Sequence, residues 1–356
     1  MATYKTIKYI VPAEVVEHTD SINALADVDT STAAPTEGQT IKWNGTNWVP
    51  ADIEESASGT QKALFGFGFI SGDSNVTNLV SSTGVVATDT TGVGTAREYL
   101  SAAGYGGDKA IFGPGDANAH VTNLVSNTGV VATDTAGVGT NRYSGAAAGY
   151  GGDKAIFGFG FAYSGYTYFN ITSLVSNAGV MGSDTTGVGT ARQGLAAAGY
   201  GGDKAIFGFG ETNGANYKNM TNLVSNSGVV ATDTTGVGTA RSRLAAAGYG
   251  GDKALFGYGE AGGAGAVSLS MTNLVSNTGV VSSDVTGVGL VRRNLAAAGY
   301  GGDKAIFGFG YAEVDYSYTY YNHTNLVSNT GVVASDTTGV GSARQDLGAA
   351  GFSTTA

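Results

Sequence analysis

The chain has 356 residues, enough for two average domains or one large β domain with an appendage, and it carries 59 glycines against 4 prolines. Such a mixture disfavours helices, while a 42% hydrophobic and 13% charged composition without a three-residue glycine period excludes both disorder and collagen. A net charge of −10 argues against nucleic acid and anionic membranes as partners, and zero cysteines exclude disulfides and thiolate metal sites.

The N-terminal stretch MATYKTIKYIVPAEVVEHTD has no long apolar core and no signal-peptidase site, and no segment is apolar enough to span a bilayer. A cytosolic product is expected. Residues 1–58 form a first, non-repeating segment. Both tryptophans, Trp43 and Trp48, flank Asn44-Gly45 in IKWNGTNWV, which predicts a β-hairpin. A two-stranded hairpin is marginal alone, so the flanking TYKTIKYIVPAEVV is expected to be ordered by a partner or by other copies of the chain.

Repeats occupy residues 59–356. Anchored on the lysine before an apolar run (Lys62, Lys109, Lys154, Lys204, Lys253, Lys304), the spacings are 47, 45, 50, 49 and 51 residues, giving six units. Each unit reads as four short strands; in the fourth they are SRLAAAGY, from the end of that unit, then KAIFGFG, MTNLVS and GVVATD. The period predicts an all-β, six-bladed β-propeller of four-stranded blades. In AIFGFG, Phe207 and Phe209 are expected on one face, with Ile206 and Gly208 on the other. The small LAAAG strand suits the crowded axis. The first unit lacks the LAAAGYGGD strand and the chain ends on ARQDLGAAGF, so N- and C-terminal strands are expected to share one blade and close the ring.

The order AR-x-x-LAAAGYGGDKAIFGFG…TNLVSNSGVV resembles the kelch repeat over residues 60–352, although the second strand ends in GFG and the repeats have no tryptophan. RCC1-type repeats are an alternative relative. The stretch ALADVDTSTAAPTEGQTIKWNGTNWVPADI resembles a module of bacteriophage tail fibres and other virion proteins. The glycine-rich repeats are similar to those of tail-fibre-like proteins of cyanophages. This resemblance implies attachment to other virion proteins through residues 1–58, with Trp43 and Trp48 in the attachment segment and the propeller projecting outward.

Two repeated features invite a chemical reading. An aspartate precedes an arginine by eight residues in every unit, as in Asp184 and Arg192, Asp233 and Arg241, and Asp336 and Arg344. A metal-binding ring or an anionic-sugar site is one reading. One ion pair per blade is the preferred one, because a binding site needs convergent, different residues while a scaffold repeats itself. GYGGDK is not a phosphate-binding loop, since Ala205 follows Lys204 and the motif lies in a predicted hairpin. Asp203 and Lys204 are expected to shape that turn. His18, His120 and His323 share no context, and no catalytic group, metal site or cofactor is indicated.

The units diverge between their second and third strands. These connections hold 8 of the 19 tyrosines in two copies: Tyr163, Tyr166 and Tyr168 in one, and Tyr311, Tyr316, Tyr318, Tyr320 and Tyr321, followed by His323, in the other. Tyrosine offers rigid area and a hydroxyl, which suits recognition; the rings packing together or extending the strands is the structural alternative. The expectation is a non-enzymatic virion protein whose loop face binds a host-surface glycan or protein. The alternative is a decoration, neck or tail component making virion protein contacts.

Overall fold

The computed structural model describes residues 39–43, 46–52, 61–116, 120–213, 216–262, 265–314 and 317–354. The chain divides into two units, Met1–Ser56 and Ala57–Ala356. Among the described residues every regular element is a β-strand, and no helix is long and apolar enough to cross a membrane.

In the first unit, Gln39–Trp43 pairs antiparallel with Trp48–Asp52, with Trp43 opposite Trp48. Asn44 and Gly45 lie outside the described residues.

In the second unit six antiparallel sheets of three or four strands follow the repeat. In one, Ala196–Tyr200 pairs with Lys204–Gly208, which pairs with Thr221–Val224. The terminal segments share a sheet: Gly348–Ser353 pairs with Gln61–Phe69, which pairs with Asp73–Val80. The first strands of the sheets lie side by side, from Ala102–Tyr105 through Ala146–Tyr150, Ala196–Tyr200, Ala245–Tyr249 and Ala296–Tyr300 to Gly348–Ser353, which lies beside Ala102–Tyr105.

The fourth segment departs from expectation. It is a strand only at Thr135–Ala136 and Met181–Thr185; elsewhere it makes isolated bridges, such as Thr221 to Thr234 and Val224 to Val230. The third strand explains this. The Asn222 amide donates to Ala231 O at 3.0 Å and to Asp233 Oδ1 at 2.9 Å, so a side chain takes a place in the ladder. Where Ser173 replaces that asparagine, the five-residue strand Met181–Thr185 forms.

Packing between sheets repeats with the same regularity. Phe207 joins a cluster containing Ile156, Phe159 and Leu195, whereas Phe209 joins Leu244 and Phe256 on the other side. The two phenylalanines thus face opposite neighbours, contrary to simple alternation. Phe209 has φ of 65°, a left-handed conformation that breaks the two-residue period at the strand end. Its ring meets Phe256 edge-on at 5.1 Å between centroids. Glycine makes this contact possible. A Cβ at Gly208 would lie 2.7 Å from Phe256 Cζ, and the same seating recurs for Gly66 with Phe112, Gly158 with Phe207, Gly257 with Phe307 and Gly308 with Phe65.

Each repeated arginine is buried within this packing. The Arg241 guanidinium lies over Phe209 at 4.3 Å and donates to Tyr258 O at 2.9 Å and Asn273 Oδ1 at 2.6 Å. Its acid is Asp284, at 3.6 Å. Likewise Arg142 meets Asp184 at 3.0 Å, Arg192 meets Asp233 at 3.7 Å and Arg344 meets Asp89 at 3.9 Å; Arg292 meets Asp336 at 3.9 Å. The sequence-adjacent pairs Asp184 and Arg192, Asp233 and Arg241, and Asp336 and Arg344 are therefore not the partners. Each arginine precedes its sheet's first strand and meets the aspartate that follows the third strand of the same sheet. Burial lowers the Arg241 pKa to about 10 despite the opposing charge of Asp284. Burial raises the Asp284 pKa, but hydrogen bonds from Thr239 and Asn273 and the Arg241 charge outweigh it and hold the carboxyl below its ordinary range.

Candidate functional site

Two cavities occupy opposite ends of the first strands. One, of about 310 Å³, is lined by the GYGGDK turns of five repeats. Its lysines are matched by neighbouring acids: Lys204 Nζ lies 3.1 Å from Asp203 Oδ1, and Lys154, Lys253 and Lys304 make equivalent contacts of 2.7–2.8 Å. Asp203 also accepts from Asn226 at 3.0 Å. The Asp-Lys pair thus organises the turn, and the repetition leaves this end chemically uniform.

The other cavity, of about 350 Å³, is different in kind. It forms where the chain enters each first strand, two residues after the buried arginine. The six equivalent residues are Tyr99, Ser144, Gly194, Arg243, Asn294 and Asp346, all of which line it. They are joined by main-chain hydrogen bonds. Ser144 N–H donates to Tyr99 O at 2.9 Å, Gly194 to Ser144 at 2.8 Å, Arg243 to Gly194 at 2.7 Å, Asn294 to Arg243 at 2.9 Å and Asp346 to Asn294 at 3.0 Å, and Tyr99 N–H returns to Asp346 O at 2.9 Å. All six have φ between 53° and 61°. The left-handed conformation costs roughly 1–2 kcal/mol for a residue with a Cβ. In a chain with 59 glycines, only one of these six positions is glycine. Five side chains are kept against that cost, as they are at the repeated Phe209 position; what singles out this position is that the residue type differs in every unit.

The third divergent connection supplies the wall. Phe161–Ala162 pairs with Thr167–Tyr168 in a short hairpin that extends beyond the main sheet. Around Phe161 lie Tyr168, Tyr163 and Tyr143, with ring centroids at 4.9, 5.3 and 5.7 Å. Tyr163, Tyr166 and Tyr168 all line the cavity together with Tyr99 and Tyr143, and Tyr166 is 78% exposed.

The sixth connection does not join them. Tyr311–Val314 pairs with Ser317–Tyr320. Tyr311 is buried under the Arg293 guanidinium, 4.7 Å from its ring centre, and packs against Tyr318 and Tyr320. Tyr321 meets the His323 ring at 5.7 Å, and His323 O accepts from Arg292 at 2.7 Å. Among the described residues, Tyr311, Tyr318, Tyr320, Tyr321 and His323 are not part of the cavity lining. Tyr311 is a packing residue, and the connection forms a two-stranded sheet of its own; Tyr316 lies outside the described residues. Trp48 of the N-terminal hairpin is 38% exposed.

The cavity's charges are unevenly satisfied. Arg243 lies 3.1 Å from Glu260 and 4.0 Å from Glu211, and Glu260 also pairs with Arg293. Burial raises the Glu211 pKa, opposed by the Arg243 charge and a hydrogen bond from Gln193. Asp346 is 8% exposed; it accepts from the Asn294 amide through Oδ1, while its Oδ2 has no partner. Burial, reinforced by Glu98, pushes its pKa well above the usual carboxylate range. Glu98 is itself raised to about 7, by burial and then by the charges of Asp73 and Asp116. Asn294 Oδ1 is also buried without a partner. Among the described residues no three His, Asp or Glu side chains group as metal ligands.

Tyr163, Tyr166 and Tyr168 were legible as candidates from composition. Tyr99, Ser144, Arg243, Asn294 and Asp346 were missed. Their signal is in the sequence: EY, YS, QG, SR, RN and QD fill one slot between the repeated arginine and the strand beginning Leu or Gly. No protein-family model matches the chain, and no curated protein matches it.

Proposed function

We propose that this chain is a non-enzymatic virion protein of tail-fibre or receptor-binding type, whose kelch-like propeller recognises a host-surface glycan through the tyrosine-lined cavity. The six sheets are taken as blades of a closed six-bladed propeller, supported by the returning path of hydrogen bonds from Tyr99 to Asp346 and by the shared sheet of the terminal segments. Attachment to other virion proteins is assigned to residues 1–58, on their resemblance to a tail-fibre module and on the tryptophan hairpin.

One observation carries the recognition reading. At a single structurally equivalent position the scaffold presents six different residues, five of them conformationally strained, beneath a wall of exposed tyrosines. Aromatic faces with a few oriented polar groups are the usual make-up of a small-molecule site. Sugars offer apolar C–H faces to such rings and hydroxyls to the polar floor.

The test is binding of the full chain to host cells and to polysaccharide extracted from them, compared with Tyr163→Ala and Tyr166→Ala. The expected result is saturable binding without turnover, weakened by both substitutions. Localisation of the loop face against capsid or neck proteins in a virion map would refute adhesion, and release of sugar fragments would refute the non-enzymatic reading.

A further inference from the structure

Resting on the glycan reading above, we propose that the cavity selects a saccharide carrying a free primary amine, held by Asp346 and Asn294 against the tyrosine wall. Three observations lead to the amine. The first is an unmet hydrogen-bonding demand. Asp346 Oδ2 and Asn294 Oδ1 are both buried acceptors without partners, on side chains already joined by the Asn294 amide and Asp346 Oδ1. Buried acceptors of this kind are costly to leave unmet. An ammonium brings three donors on one atom, whereas a sugar hydroxyl brings one.

The second observation is charge. Arg243, the only guanidinium in the lining among the described residues, is shared by Glu260 and Glu211. Asp346 has no cationic partner within ion-pair distance among the described residues, and Glu98 stands beside Tyr99. A carboxylated sugar would meet Asp346 without a free cation to answer it; an ammonium would meet complementary charge. Burial favours the protonated form of Asp346 in the empty cavity, and a bound ammonium acts in the opposite sense, favouring the carboxylate.

The third observation is the wall. Tyr163 and Tyr166 line the cavity, and tyrosine rings attract cations as well as sugar C–H groups. A quaternary ammonium would use those faces but leave both floor acceptors unmet, so N–H donors distinguish the primary amine.

The experiment measures binding of the full chain to three tetrasaccharides of equal length: glucosamine, N-acetylglucosamine and glucose, at a pH below the amine's own pKa. The expected result is an affinity for the glucosamine oligomer at least about tenfold above both others, the equivalent of about 1.4 kcal/mol. Asp346→Asn, which keeps the shape and tolerates a left-handed backbone, is expected to remove that preference. Tyr166→Ala is expected to weaken all three saccharides. Equal binding of the three, weakened by Tyr166→Ala, would overturn the amine and leave the glycan reading standing. No binding of any saccharide, in this panel or from the host polysaccharide, would overturn both. A preference that survives Asp346→Asn would overturn the assignment to Asp346. The comparison of amine with acetamide needs no variant, so it decides even if Asp346→Asn does not fold.

Discussion

Gly208→Ala isolates the contact that explains the glycines of the second strand. The added Cβ would lie 2.7 Å from Phe256 Cζ and 3.0 Å from Cε1. Phe256 is fully buried and packs edge-on with Phe209 within a closed apolar cluster, so its ring has little room to retreat. Overpacking of this kind costs about 1–3 kcal/mol. Alanine in place of a strand glycine recovers roughly 0.5–1 kcal/mol of chain entropy. The steric effect wins, by about 1–2 kcal/mol. With an unfolding entropy of roughly 2.1 cal/mol/K per residue, that lowers the Tm of the 300-residue second unit by about 2–3 °C. Phe256→Ala alone is expected to cost about 3–5 kcal/mol. In its presence the space beside residue 208 is open, and Gly208→Ala should become neutral or stabilising. Guanidinium unfolding of the four proteins measures this coupling. Additive effects, or a Gly208→Ala protein as stable as the parent, would refute the account of the glycine as a seat for the neighbouring ring.

Three further outcomes are expected. Arg241→Ala should destabilise by about 3–5 kcal/mol, because Asp284 and Asn273 lose a buried partner; an unchanged melting temperature would contradict the network. Arg241→Lys should recover little of this, since one ammonium cannot reach Tyr258 O, Asn273 and Asp284 with the guanidinium's fork. Glu98 gives a pH signature. Its pKa rises from 4.5 unfolded to about 7 folded, so the folded state binds the proton more tightly. Its contribution to stability is fully present below 4.5 and is lost as pH rises through about 7. Glu98→Gln should flatten the melting-temperature profile across that window, and an identical slope in the variant would refute the assignment.

The sequence alone determined the all-β character, the six units and the places of their first three strands, because turn glycines and short apolar runs are local signals repeated six times. It also identified the terminal segments as complementary, and Gly348–Ser353 does pair with Gln61–Phe69. Three features needed the tertiary structure. Arg241 and Asp284 are 43 residues apart, so proximity in the chain favoured the wrong aspartate, Asp233. Phe207 and Phe209 were assigned one face because strand alternation says nothing of a left-handed residue at the strand end. The tyrosine connections looked equivalent in composition, yet Tyr163 and Tyr166 face a cavity while Tyr311 lies beneath Arg293. The six residues from Tyr99 to Asp346 were visible as variable positions, but only the main-chain bonds that link them bring residues from six units to one floor. Sequence periodicity reports what each unit does for the scaffold; convergence of its exceptions arises only when the units are assembled.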